Sequence, residues 1–147
     1  MPERETIERA REDAREGKAP SAQAGEFVRE EIHHVREGKH GARSTKQAIA
    51  IGLSKARRAG VKLPASKSAS KRTRAQAKRE LARAKKGTKK VSRARSKAGR
   101  AALRGEGHSV VSKSALAKHA RSSARKRSAS ERSASAKKAA RTRARHR

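Results

Sequence analysis

The chain has no cysteine, no tryptophan and no tyrosine, and its one aromatic side chain of the Phe/Trp/Tyr class is Phe27. Without cysteine there is no disulfide framework, no thiolate metal site and no thiol nucleophile. With no Phe, Trp or Tyr in residues 65–147, the rings on which single-strand binders and many RNA modules stack unpaired bases are missing there. Large apolar residues are also scarce: 16 Val, Ile, Leu and Phe and one Met, against 30 Ala, in 147 residues. So few cannot build a core for the whole chain, and low Leu/Ile/Val/Phe content with high net charge marks disorder. This argues against one enzyme domain filling the chain. The longest apolar run is Ala48-Ile49-Ala50-Ile51, far short of a membrane span. The opening Met-Pro-Glu-Arg-Glu carries no apolar signal region, so the expected location is cytoplasmic.

Acid is the last scarcity. The chain holds 43 Lys and Arg against 13 Asp and Glu, a net charge of +30. The imbalance is uneven. Residues 1–64 carry 14 basic and ten acidic residues; residues 65–147 carry 29 basic residues and only Glu80, Glu106 and Glu131. Eleven of the large apolar residues precede Pro64 and six follow it. The composition break predicts two domains: a small helical unit over 1–64 and a low-complexity basic Ala/Ser/Lys/Arg arm over 65–147. A chain this basic must meet a polyanion.

No strand alternation occurs, so the predicted fold class is all-α, with two or three helices in the N-terminal unit. A first helix is expected from Pro2 to about Glu16, with Glu3 and Glu5 early, Gly17 past the end, and a thin stripe of Ile7, Ala10 and Ala14. A second should start after Ser21 and stop before Gly38, with Val28, Ile32 and Val35 in its stripe and Phe27 on the flank. A third is signalled by a capping box, Ser44 to Gln47, by Ile49, Gly52, Leu53 and Ala56 at helical spacing, and by Gly60 with Val61 as a Schellman ending. Ala48, Gly52 and Ala56 are small enough for close helix packing. The arm is predicted to be largely disordered, since like charges at i, i+4 oppose helix. Segments 70–86 and 113–120 would turn helical only on a partner, with breaks at Gly87, Gly99, Gly105 and Gly107.

The stretch Arg43 to Gly60, R-S-T-K-Q-A-I-A-I-G-L-S-K-A-R-R-A-G, resembles a family of small basic bacterial proteins that carry a domain of unknown function. Their shared core is approximately R-S-x-K-Q-A-I-A-I-G-L-S-x-A-R-x-A-G, and Glu26 to Gly41 is similar to their longer members. The resemblance covers residues 3–64 and implies DNA binding without assigning any site residue. The arm resembles, in composition alone, the Lys/Ala/Ser-rich tails of linker histones and bacterial histone-like proteins.

Function is read chiefly from phosphate chemistry. Duplex DNA carries one charge per ~1.7 Å of axis, and a fully extended arm of 83 residues would reach ~280 Å. The arm's candidate contacts are Lys71, Arg72, Arg74, Lys78, Arg79, Lys85, Lys86, Lys89, Lys90, Arg93, Arg95, Arg125, Lys126, Arg127, Lys137, Lys138, Arg141 and Arg143. Arg43, Ser44, Thr45 and Lys46 surround the start of the third helix, where N–H groups and the dipole favour anions. Lys55, Arg57, Arg58 and Lys62 lie at its other end. A helix-turn-helix over 21–59 is weakened by the long link from Gly38 to Arg43. Glu30-Glu31-Ile32-His33-His34 holds two overlapping Glu-x-x-His pairs, but no second copy exists, and the same residues serve as i, i+4 surface pairs. No metal, cofactor or catalytic set is expected. The sequence points to a non-enzymatic, histone-like, nucleoid-associated protein that binds duplex DNA without sequence preference. The alternatives are an RNA- or ribosome-associated basic protein, and a protein-interaction module tethered to nucleic acid by its arm, with self-association or a protein partner through residues 21–63.

Overall fold

A computed structural model describes residues 2–87 and 92–145; Lys89 and Lys90 lie outside them. Among the described residues the chain forms seven α-helices and one short 3₁₀ turn. They are α1 (Arg4–Arg15), α2 (Pro20–Arg36), α3 (Thr45–Arg58), α4 (Lys71–Lys85), α5 (Arg93–Arg104), the turn Ser109–Val111, α6 (Lys113–Arg125) and α7 (Ala129–Arg145). The contacts divide the chain into a unit ending at Ser112 and a second from Lys113 onward. No described helix is long and apolar enough to cross a membrane.

The first three helices follow their punctuation. Pro20 occupies the first turn of α2, where its missing N–H costs nothing, and Ala19 precedes it as cap in place of the expected Ser21. Ser44 Oγ accepts from the Gln47 amide at 3.2 Å, while the Gln47 side chain accepts from the Arg43 amide at 2.6 Å. The capping box therefore closes one residue further out than its usual form. At the far end the Val61 amide donates to Ala56 O and the Gly60 amide to Arg57 O, both at 3.1 Å, with Gly60 at φ +102°. That is the Schellman pattern.

Helix α2 packs against both α1 and α3, and α3 also packs against α4. Small residues set this closeness: a Cβ on Gly52 would stand 2.7 Å from Val28 Cα. Ala48, Gly52 and Ala56 are all buried. Room on α3 lets Phe27 sink to 1% exposure, so it is central and not flanking; Val28 is only partly buried. Phe27 clusters with Ala10, Ala24, Ala56 and Val61. A second cluster joins Val35, Ala42, Ala48 and Val111.

The disordered arm is overturned. Residues expected to lack structure form α4 to α7. Three features supply what composition hid. Serines cap two of the helices: Ser70 Oγ accepts from the Thr73 amide at 3.1 Å, and Ser128 Oγ from the Glu131 amide at 3.2 Å. Glu131 returns the bond, accepting from the Ser128 amide at 2.9 Å, a reciprocal capping box. Alanine at the intervening positions keeps propensity high enough to offset i, i+4 repulsion. Finally, part of the arm packs on the first three helices. α5 runs straight through Gly99, where a break was expected, whereas Gly87 does follow a helix end with φ +77°.

That packing carries the first unit past Pro64 to Ser112. The Gly41 amide donates to Leu103 O at 2.8 Å and the Ala42 amide to Gly107 O at 3.1 Å. Arg36 Nε reaches Val111 O at 3.1 Å and Thr45 Oγ1 reaches Val110 O at 2.5 Å. Val111, fully buried, closes the second apolar cluster. A Cβ on Gly41 would come within 1.9 Å of Glu106 O, so only glycine permits this approach.

Candidate nucleic-acid interface

The start of α3 is occupied by the molecule's own groups. Ser44 is used as the cap, Thr45 holds Val110 O, the Arg43 amide is taken by Gln47, and the Arg43 guanidinium lies 3.4 Å from Glu106. Only Lys46, Ala50 and Arg58 of α3 are exposed. The link between α2 and α3 is eight residues, Glu37 to Ser44, and the 103–111 segment bonds to it. What α3 leaves open is the stripe through Lys46, Ala50 and Arg58, with Ser54 half-buried between them.

Two further cations of the sequence set face inward. Arg57 Nε donates to Leu63 O at 2.9 Å and its Nη1 lies 3.3 Å from Glu80 Oε2. Glu80 also accepts from Ser54 at 2.5 Å and Gln76 at 3.1 Å. Burial alone would raise the Glu80 pKa; these three donors and nearby Arg58 outweigh it and hold the carboxyl below its ordinary value. Lys55 Nζ lies 2.6 Å from Glu31 Oε2 and 3.3 Å from Glu30 Oε1. Lys55 and Arg57 thus serve internal carboxylates.

The remaining described candidates are exposed: Arg43, Lys46, Arg58, Lys62, Lys71, Arg72, Arg74, Lys78, Arg79, Lys85, Lys86, Arg93, Arg95, Arg125, Lys126, Arg127, Lys137, Lys138, Arg141 and Arg143. One such array is on α7, all of whose residues are exposed. Lys137, Lys138, Arg141 and Arg145 share one face with Ala134 and Thr142. From Lys137 to Arg145 the helix rises about 12 Å. Over that length a duplex carries roughly seven phosphate charges. Glu131, the only acid of 113–147, is engaged by Ser128, whose amide and hydroxyl hold its carboxyl below the ordinary value. Arg145 belongs to this stripe but is absent from the sequence-derived set; spacing from Lys137, Lys138 and Arg141 could have found it.

The Glu-x-x-His residues of α2 lie in a larger polar cluster, to which the sequence did not join Glu3, His40 or Lys55. Glu30 is 5% exposed and Glu31 fully buried. His34 Nε2 stands 2.9 Å from Glu3 Oε1, and its Nδ1 lies 3.9 Å from Glu30 Oε1. His40 arrives from the loop through the Gly38 turn (φ +73°), with Nδ1 3.1 Å from Gly41 O and Nε2 3.3 Å from Glu31 Oε1. The expected surface pairs do occur, His33 with Glu37 at 3.3 Å and the longer Glu30–His34 contact, but the second is not at the surface. Nothing local marks His40 as their neighbour.

No curated protein and no solved structure matches the chain. Residues 5–67, which take in α1 from its second residue, α2, α3 and the Schellman turn, match a family of unknown function (DUF6496).

Proposed function

We propose that the protein binds duplex DNA without sequence preference, as a histone-like component of a bacterial nucleoid, through the exposed basic helices that follow the DUF6496 domain. One observation carries this reading: a one-sided row of Lys137, Lys138, Arg141 and Arg145 on a fully exposed helix whose only nearby acid is engaged in its cap. Four cations on one face can lie along a phosphate row and release counterions. The absence of Phe, Trp and Tyr from residues 65–147 fits contact with the backbone and not with bases. The Arg43–Gly60 signature then serves packing: Ser44 caps, Ala48, Gly52 and Ala56 admit α2, and Gly60 ends the helix. No catalytic role is proposed.

The test is duplex binding of the full chain against salt, beside a variant with Lys137, Lys138, Arg141 and Arg145 all changed to Gln. Each lost phosphate contact should flatten the log–log salt slope by about 0.9, so the variant loses 3 to 4. An unchanged slope would remove α7 from the interface. Discrimination among random duplexes beyond ~10-fold would refute nonspecific binding, since specific sites reach 10³ or more. Preference for structured RNA in direct competition would move the partner to RNA.

A further inference from the structure

We infer that Glu31, His34 and His40 form a binding site for one divalent cation of the zinc class. This stands apart from the DNA reading and needs none of it. Each of the three offers one ligand atom, and those atoms lie within 4.8 Å of one another.

The detailed geometry accommodates a cation at the centre of the cluster. His40 Nδ1 faces Gly41 O at 3.1 Å, which assigns its proton there and leaves a lone pair on Nε2. That lone pair is 3.3 Å from Glu31 Oε1. A positive centre must join two such atoms beside a fully buried carboxylate: a proton on Nε2 would make an ordinary imidazolium–carboxylate pair, whereas one metal ion would join Glu31, His34 and His40 together. The distance is also right: ligands at 2.0–2.1 Å from a tetrahedral zinc stand about 3.4 Å apart. Neither Glu31 oxygen receives a hydrogen bond of proper geometry, although Lys55 Nζ is 2.6 Å from Oε2. Lys55 approaches the far oxygen and is shared with Glu30, which leaves Oε1 to His40 and to an ion between them.

His34 is braced in the same manner. Glu3 holds Nε2 at 2.9 Å, the carboxylate–imidazole arrangement that fixes ring orientation and raises ligand basicity. Two histidines and one glutamate make a ligand set suited to zinc, with a fourth position left for water. Around it stand three carboxylates, Glu3, Glu30 and Glu31, against two ammonium groups, Lys39 and Lys55. With neutral imidazoles the surroundings are net negative, which favours a dication. The side chains of His34 and His40 are 13% and 19% exposed, so an ion can enter.

The probe is Zn²⁺ alone, added to chelator-stripped, nucleic-acid-free full-length protein and followed by competition with a chromophoric chelator. Co²⁺ in place of Zn²⁺ reports coordination through its visible absorption. The expected result is one ion per chain with the intense band of four-coordinate cobalt. His34→Gln and His40→Gln should each weaken uptake by more than the ~10–100-fold typical of losing an outer-shell partner, and Glu3→Gln by about that amount. His33→Gln and His119→Gln should leave it unchanged. Circular dichroism of each variant separates lost ligation from lost fold. No saturable one-to-one uptake by the unmodified chain overturns the site. Uptake that survives both His34→Gln and His40→Gln overturns it equally.

Discussion

Residues 2–64 and residues 65–147 treat their carboxylates differently. The first region has ten acids to 14 bases and knits them into networks: Arg9 with Glu26 at 2.9 Å, Lys18 with Asp13 at 2.7 Å, Lys55 with Glu30 and Glu31. The second has three acids to 29 bases, and each acid has a structural task. Glu80 receives Arg57, Ser54 and Gln76; Glu106 meets Arg43; Glu131 completes the cap of α7. A strongly cationic segment can therefore fold if its few anions sit at a buried pair, a loop contact and a helix start. Average charge conceals that placement.

The contrast yields graded expectations for folding. Phe27→Ala removes the largest side chain of the first cluster and should cost about 3–5 kcal/mol in urea unfolding. Glu80→Leu should cost about 2–3 kcal/mol, less than a fully enclosed pair, because Arg57 keeps Leu63 O. Acidity probes the same carboxyl. Its folded pKa is lowered, so its stabilisation is complete above the unfolded carboxyl value and is lost as pH falls through the lower folded one. Glu80→Gln should accordingly lose less stability than the parent on acidification below about pH 5. Ser128→Ala should cost about 1 kcal/mol, confined to α7 and visible as faster amide exchange in its first turn. The fourfold Gln variant of α7 should change unfolding by no more than ~0.5 kcal/mol while altering DNA binding most. If that variant instead unfolds the chain, the exposed row is structural and the contrast between the regions fails.

How much of this the sequence discloses depends on the range of the interaction. Local signals were legible: the Ser44 box, the Gly60 ending and the small face of α3 all stand where spacing put them. Helix α4, expected over 70–86 on a partner, forms over Lys71–Lys85 within the fold. Distant pairings were not legible. Arg57 with Glu80, Gly41 with Glu106, and His40 with Glu31 join residues whose neighbours in sequence give no hint of the partner. The same limit made Lys55 and Arg57 look like surface cations, and made the arm look unstructured. Compositional reasoning sums over positions, whereas a cap or a buried pair depends on one.

The lid that Leu103 to Val111 places over the α2–α3 link sets an order of events during synthesis. Domains emerge N-terminus first, and α1, α2 and α3 can pair through contacts near in sequence. Val35, Ala42 and Ala48 then wait with one side uncovered until Val111, 76 residues beyond Val35, leaves the ribosome. Closing that contact costs the conformational entropy of the intervening segment. Nascent chains stopped between α3 and the 3₁₀ turn would hold an apolar surface open, and these are the lengths at which a chaperone has something to grip.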